Sequence, residues 1–213
     1  NMPEGGATEG RLVAIVIDDM GLDRAASLAA LTLPGRLTYS FLPYGPATGD
    51  VAQKAKQQGD EVAVHMPMQP WSKVRNPGPD ALTLDLSVDE LERRIEANLA
   101  RVPGYSGVNN HMGSRFSERP EGLSRLFAAL EKRDVWYLDS RTSRGTVADV
   151  VAGRLPLRYA RRDVFLDDGD ARLPFWKQLA EVERRAQAQG AAVLIAHPHP
   201  ASLRALRNWL QTA

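Results

Sequence analysis

The residues of this chain best suited to chemistry are an adjacent pair of aspartates and its four histidines. Asp18-Asp19 ends one apolar run, His65 ends another, and His111 follows Asn109-Asn110 at the end of a third. His197 and His199 flank Pro198 after the last such run. A carboxylate and two histidines brought from separate strands form an ordinary ligand set for zinc. Three protein ligands leave a position open for water, whose pKa a bound zinc can lower to about 7 while also polarising a carbonyl. A second carboxylate beside the ligand would suit a general base, and a histidine across the site a general acid. Asp18, Asp19 and His197 fit these roles, and spacing leaves open which aspartate does which.

Those residues must be positioned by strands. Apolar, β-branched runs at Leu12 to Ile17, Leu37 to Leu42, Glu61 to His65, Gly107 to Asn110, Val135 to Leu138 and Ala192 to Ala196 alternate with helical patterns. An extended region between Leu157 and Leu166 completes the set. Ser87-Val88-Asp89-Glu90 is a capping box opening a helix to about Val102, and helices are also expected over Leu22 to Leu31, Asp50 to Gln58, Pro120 to Lys132, Val147 to Gly153, Pro174 to Gln189 and Pro200 to Leu210. About seven strand–helix units imply a parallel sheet covered by helices, either a closed or incomplete barrel or a doubly wound sheet. The barrel is the favoured reading. In such folds the strand ends share one face, and that face holds the site.

Each motif also has a plainer reading. The aspartate pair resembles a helix cap, Asn109-Asn110 suits a turn, Asp167-Asp168-Gly169-Asp170 reads as a polar turn, and Met66, Met68 and Met112 read as core filler. The functional reading rests on convergence, since every histidine falls at a strand tip. The long segment Pro70 to Leu86 has the length of a functional flap.

Composition narrows the partners. Twenty-seven basic and 26 acidic residues leave a net charge of +1, which argues against a nucleic-acid surface. The absence of cysteine excludes disulfides, thiolate metal sites and a cysteine nucleophile. No apolar run approaches the roughly 20 residues of a membrane span. Residues 1–10 are polar and glycine-rich and read as a linker or tail; residues 11–213 read as one catalytic domain.

The segments Ile15-Val16-Ile17-Asp18-Asp19-Met20-Gly21, Gly59 to Pro70, Gly107-Val108-Asn109-Asn110-His111-Met112-Gly113-Ser114, Leu138-Asp139-Ser140-Arg141-Thr142 and Ile195-Ala196-His197-Pro198-His199-Pro200 occur in an order and spacing that resemble the divergent polysaccharide deacetylases. These are a branch of the polysaccharide deacetylase superfamily of carbohydrate esterases. The resemblance implies a deformed barrel of about seven strands and one divalent metal, usually zinc. It also implies Asp18 as catalytic base, Asp19 as metal ligand, His65 as a second ligand and His197 as the acid that protonates the leaving amine. Where the superfamily has another histidine ligand this chain has Gln69, and His111 is the expected replacement. The usual arginine of the third motif is missing, with Arg115 and Arg141 as available substitutes. Asp139 and Asn110 are expected to support the site, and Trp71, Tyr44 and Arg141 to contact substrate.

The activity so implied is removal of N-acetyl groups from a cell-wall or surface polysaccharide, in an exported protein whose targeting segment is missing from this chain. A glycan-binding or scaffold protein that kept the metal pocket without turnover is the alternative. A metal-dependent phosphoesterase is weaker, because phosphate chemistry favours more convergent cations or two metals.

Overall fold

The computed structural model describes residues 11–167 and 174–211. The expected linker at 1–10 and residues Asp168 to Asp170 lie outside them. Eight strands form one sheet: β1 (Leu12–Met20), β2 (Thr38–Phe41), β3 (Glu61–Met68), β4 (Gly107–Met112), β5 (Trp136–Asp139), β6 (Tyr159–Arg161), β7 (Val164–Phe165) and β8 (Ala191–Ala196). All pairings are parallel, in the order β6-β5-β4-β3-β2-β1-β8-β7.

The sheet's two edges, β6 and β7, are neighbours in the chain, so the curled sheet is a deformed barrel with a seam. The single extended region expected between Leu157 and Leu166 is therefore two short strands on opposite edges. Two residues carry the chain across: the Arg162 amide donates to Asp139 O beside β5, and the Asp163 amide donates to Val193 O in β8, each at 2.9 Å. Hydrogen bonding passes from one edge to the other within one peptide.

Among the described residues, seven helices cover the outside: α1 (Arg24–Ala30), α2 (Thr48–Gln57), α3 (Val88–Ala100), α4 (Pro120–Glu131), α5 (Ala148–Ala152), α6 (Phe175–Gln189) and α7 (Pro200–Leu210). The amide of Glu90 donates to Ser87 Oγ at 3.3 Å, the cap of α3 expected from the sequence. The cap of α1 is Asp23, whose Oδ1 accepts from the Ala26 amide at 3.0 Å. The aspartate pair is thus not a helix cap. Leu91, Ile95 and Leu99 of α3 and Leu123, Leu126, Phe127 and Leu130 of α4 bury one face of each helix at helical spacing.

Two apolar layers result. The larger lies between sheet and helices and contains Ile15, Ile17, Tyr39, Phe41, Val62, Val64, Val108 and Tyr137. The smaller joins Val16, Leu138 and Ile195, which alternate with that set and so face the inside of the curl. Further along the same inner face, towards the strand ends, the buried residues turn polar: Asp18, Ser40, His65, Asn109 and Ser140. The period of two in each strand thus puts an apolar floor beneath a polar layer.

Gly21 fixes the exit of β1. It holds φ +93°, where a Cβ is strained, and an added Cβ would lie 2.1 Å from Thr48 Oγ1. Its amide donates to Ser27 Oγ at 3.0 Å, and its carbonyl accepts from the Ala47 amide. Gly21→Ala is expected to lower the unfolding free energy by about 3 kcal/mol, read by urea titration. An unchanged midpoint would contradict the packing described.

Candidate active site

A regular strand sends adjacent side chains to opposite faces, so Asp18 and Asp19 could not share a pocket without a local break. The break is present. The pairing of β1 with β2 slips between Ile17 and Met20, and Asp19 adopts the left-handed conformation at φ +56°. Such a backbone costs a non-glycine residue about 1 kcal/mol or more and persists where its surroundings hold it. It brings both carboxylates to one cleft of about 350 Å³ at the strand ends, lined also by His65, His111, Ser140 and His197.

Asp19 sits at the point of convergence. Its Oδ1 lies 3.4 Å from His65 Nε2 and 3.1 Å from His111 Nδ1. Although buried, that oxygen has no hydrogen-bond partner. Ligand atoms of the three residues lie within 4.8 Å of one another. A buried, orphaned carboxylate oxygen facing two imidazole nitrogens is costly alone and suits a shared divalent cation. The donor set therefore fits the metal that the sequence implies.

Asp18 is almost fully buried. Its Oδ1 accepts from Asn109 Nδ2 at 2.8 Å, and its Oδ2 lies 3.7 Å from His65 Nε2. Burial pushes its pKa up, against the pull of His65 and His197. For Asp19 burial also works upward but is outweighed by His111 and His65, which hold the carboxyl well below its usual range. Two adjacent carboxylates are thereby pushed apart, the arrangement that separates a base from a ligand. Burial lowers the His111 pKa, which favours the neutral imidazole a metal requires.

Two residues at this site have roles the sequence reading did not give them. Asn109, expected at a strand end with a turn as its plainer reading, is buried in β4, where its Oδ1 accepts from His65 Nδ1 at 2.8 Å and also from Ser40. The same amide donates to Asp18, so one side chain sets the His65 tautomer that frees Nε2 and fixes the neighbouring carboxylate. Asp167, expected in a polar turn, instead accepts from His197 Nδ1 at 2.9 Å and from the His197 amide at 3.0 Å. Ser202 at the start of α7 donates to it as well. The signal was available, because Asp167 ends an extended run as the other tip residues do.

The other expected residues are placed as follows. His197 reaches into the cleft with Nε2 3.9 Å from Asp19 Oδ2. Asn110 lines the cleft and ties its loops, donating to Met112 O at 2.8 Å and accepting from the Ser140 amide at 2.8 Å. Asp139 is buried, accepting from the Arg141 amide at 2.7 Å and Thr146 Oγ1 at 2.9 Å, so it shapes the loop after β5 and does not line the cleft. Tyr44 donates to Pro77 O at 3.1 Å, bracing the flap. Trp71 is 52% exposed, and it and Arg141 stand beside cleft-lining residues without lining the cleft themselves. Gln69 is turned away: its Oε1 accepts from the Leu84 amide at 3.0 Å and anchors the flap. His199 lies at the N-cap of α7, exposed.

Comparison with known proteins identifies the scaffold. The profile of the divergent polysaccharide deacetylase family matches residues 15–213. The chain belongs to that family. The chain is 35% identical over 196 residues to the uncharacterized protein YibQ of Escherichia coli, covering 92% of this chain and 61% of that protein's length. An uncharacterized protein from Agrobacterium tumefaciens has a crystal structure that superposes with a TM-score of 0.92 at 28% identity, covering 98% of this chain and 85% of that one. A family 4 carbohydrate esterase from Streptomyces lividans, solved with acetate, shares the fold at a TM-score of 0.52 and 15% identity, covering 94% of this chain and 86% of the other.

The His197–Asp167 pair carries a testable pH dependence. Burial pushes the His197 pKa down, but the Asp167 hydrogen bond and Asp18 outweigh it, and the net is a rise from 6.5 to about 9. Burial raises Asp167, but His197 and Ser202 bring it below its ordinary 3.8. A raised histidine contributes stability fully below 6.5 and loses it as pH rises through about 9. A depressed carboxylate contributes above 3.8 and loses it on acidification. In chelator, the stability difference between wild type and Asp167→Asn should thus be largest between pH 4 and 6.5 and shrink through about 9. A difference independent of pH would contradict the pairing.

Proposed function

We propose that this chain is a divalent-metal-dependent hydrolase that removes N-acetyl groups from a cell-wall or surface polysaccharide. The observation that carries the reading is the orphaned Asp19 Oδ1 facing His65 and His111, with Asp18 and His197 in the same cleft. Asp19, His65 and His111 would hold the ion, zinc by its preference for this donor set, which when bound would polarise the acetamide carbonyl and acidify water.

The remaining steps belong to the side chains. Asp18, with its pKa raised by burial, takes a proton from the attacking water, while the Asn109 amide holds the carboxylate in place. Asp167 accepts the Nδ1 proton of His197 and so points Nε2–H into the cleft. As the carbon–nitrogen bond breaks, that proton passes to the leaving amine, giving acetate and a free amino sugar. A polysaccharide substrate of this kind lies outside the cytoplasmic membrane, so the cell envelope is the compartment that goes with this function.

Binding without turnover is a second reading, favoured by Gln69, which serves the flap where the superfamily has a ligand. Acetate release separates the two. Metal-replete protein is expected to release acetate from N-acetylated chitooligosaccharides or peptidoglycan fragments. Sugar binding with no release across these substrates would overturn the hydrolase in favour of the binding protein.

A further inference from the structure

The two ring nitrogens of His197 look in different directions. Its Nε2 lies 3.9 Å from Asp19 Oδ2 in the cleft, whereas its Nδ1 lies 2.9 Å from Asp167 Oδ1. His199 stands two residues on, with its ring centroid 5.7 Å from that of His197. Ligand atoms of Asp167, His197 and His199 all lie within 4.8 Å of one another. Among the described residues only Asp19, His65 and His111 form another such group. The chain has no cysteine and four histidines, so the two groups between them use every imidazole it has.

The geometry of the second group suits an ion. Two donors on one tetrahedral zinc stand about 3.3 Å apart, so the 2.9 Å between Asp167 Oδ1 and His197 Nδ1 needs to open only slightly. The carboxylate is fixed by its other oxygen, Oδ2, which accepts from the His197 amide at 3.0 Å and from Ser202 Oγ. His199 is exposed and its side chain does not cap α7, so turning its ring costs no hydrogen bond at the helix start.

The two groups differ in what an ion must displace. Asp19 Oδ1 has no hydrogen-bond partner, while Asp167 Oδ1 accepts from His197 Nδ1, and an ion there takes the place of that proton. The first group therefore fills first. The second fills at higher zinc, above the level carried by protein purified without added metal.

We propose that Asp167, His197 and His199 form a second, weaker zinc site, and that its occupation switches hydrolysis off. The switch rests on the deacetylase reading, in which His197 gives its Nε2 proton to the leaving amine. One zinc ion enters, the Nδ1 proton of His197 leaves to solvent, and Asp167 Oδ1 passes from that proton to the ion. In imidazolium both nitrogens carry protons, and loss of one leaves a neutral ring that gives up the other far less readily. Proton transfer to the amine then stops, although the first ion stays in place.

The test follows metal content and acetate release together as free zinc is raised in buffered steps. Wild type should hold one equivalent at low zinc and two at high zinc. Acetate release should fall about 10²-fold or more as the second enters, the contribution of a general acid. His199→Gln should hold one equivalent throughout and keep its basal acetate release at high zinc, since only the backbone of His199, whose carbonyl accepts from the Leu203 amide, serves α7. A second equivalent that persists in His199→Gln is held elsewhere on the surface and overturns the site. One equivalent in wild type at every zinc concentration overturns it as well and leaves the deacetylase reading standing. Two equivalents with unchanged acetate release keep the site and overturn the switch. If wild type with one equivalent releases no acetate, the deacetylase reading and the switch fail together, and the metal counts still decide the site.

Discussion

Asp18→Asn is expected to lower acetate release by about 10³-fold while leaving metal content and fold intact, since a positioned general base supplies some 10²–10⁴-fold. The reason is the division of labour between two adjacent residues. Asp19 Oδ1 is the oxygen that faces both histidines, whereas Asp18 makes its hydrogen bond to the Asn109 amide and stands 3.7 Å from His65. An amide at position 18 keeps the shape and loses the ability to take a proton. Asn109 Nδ2, which donates to the carboxylate in the wild type, can still donate to the carbonyl oxygen of the new amide, so its hold on that side chain is kept. Steady-state acetate assays with elemental analysis of the same sample check the prediction. Loss of metal with the activity would show that Asp18, and not only Asp19, is a ligand.

His111→Ala is expected to weaken divalent-metal binding by more than about 100-fold, beyond the 10- to 100-fold cost of disturbing a residue that merely supports a ligand. Chelator competition measures it. His111 occupies β4 opposite Pro67 of β3, and its ring lies edge-on to His65 at 4.9 Å between centroids. Gln69, at the position where the superfamily has a ligand, is committed to the Leu84 amide and is not free to replace it. His65→Ala and Asp19→Ala should behave alike. Retained affinity in His111→Ala would mean that another donor completes the set.

The architecture was legible because parallel strands buried on both faces read as continuous apolar runs, and because Ser87, Pro120, Pro200 and Gly190 mark helix ends. Strand ends were read too short. Asp18-Asp19, Pro67 and His111 were taken as sites where pairing stops, yet β1, β3 and β4 continue through them to Met20, Met68 and Met112. Polar tips of strands that stay paired inside a curl cannot be told from turns by residue type. The eighth strand was missed because β6 and β7 are three and two residues long, below any pattern of period two.

Within the site, histidines and aspartates at strand tips announced themselves through their chemistry. Asn109 did not, since asparagine in a polar run suits a turn equally well, and only the register His65↔Asn109 puts its amide between base and ligand. Asp167 ends an extended run as the other tip residues do, but its pairing with His197 depends on the seam that joins β7 to β8. That both aspartates enter one cleft depends on the slip in β1 and the left-handed Asp19, which no residue pattern declares.

The most direct test of the account is anomalous scattering at the zinc edge from crystals of protein purified without added metal. The account predicts a single peak, at about one equivalent, among Asp19, His65 and His111. No peak there, or a peak instead among Asp167, His197 and His199, the other group of donors among the described residues close enough to hold an ion, would contradict it.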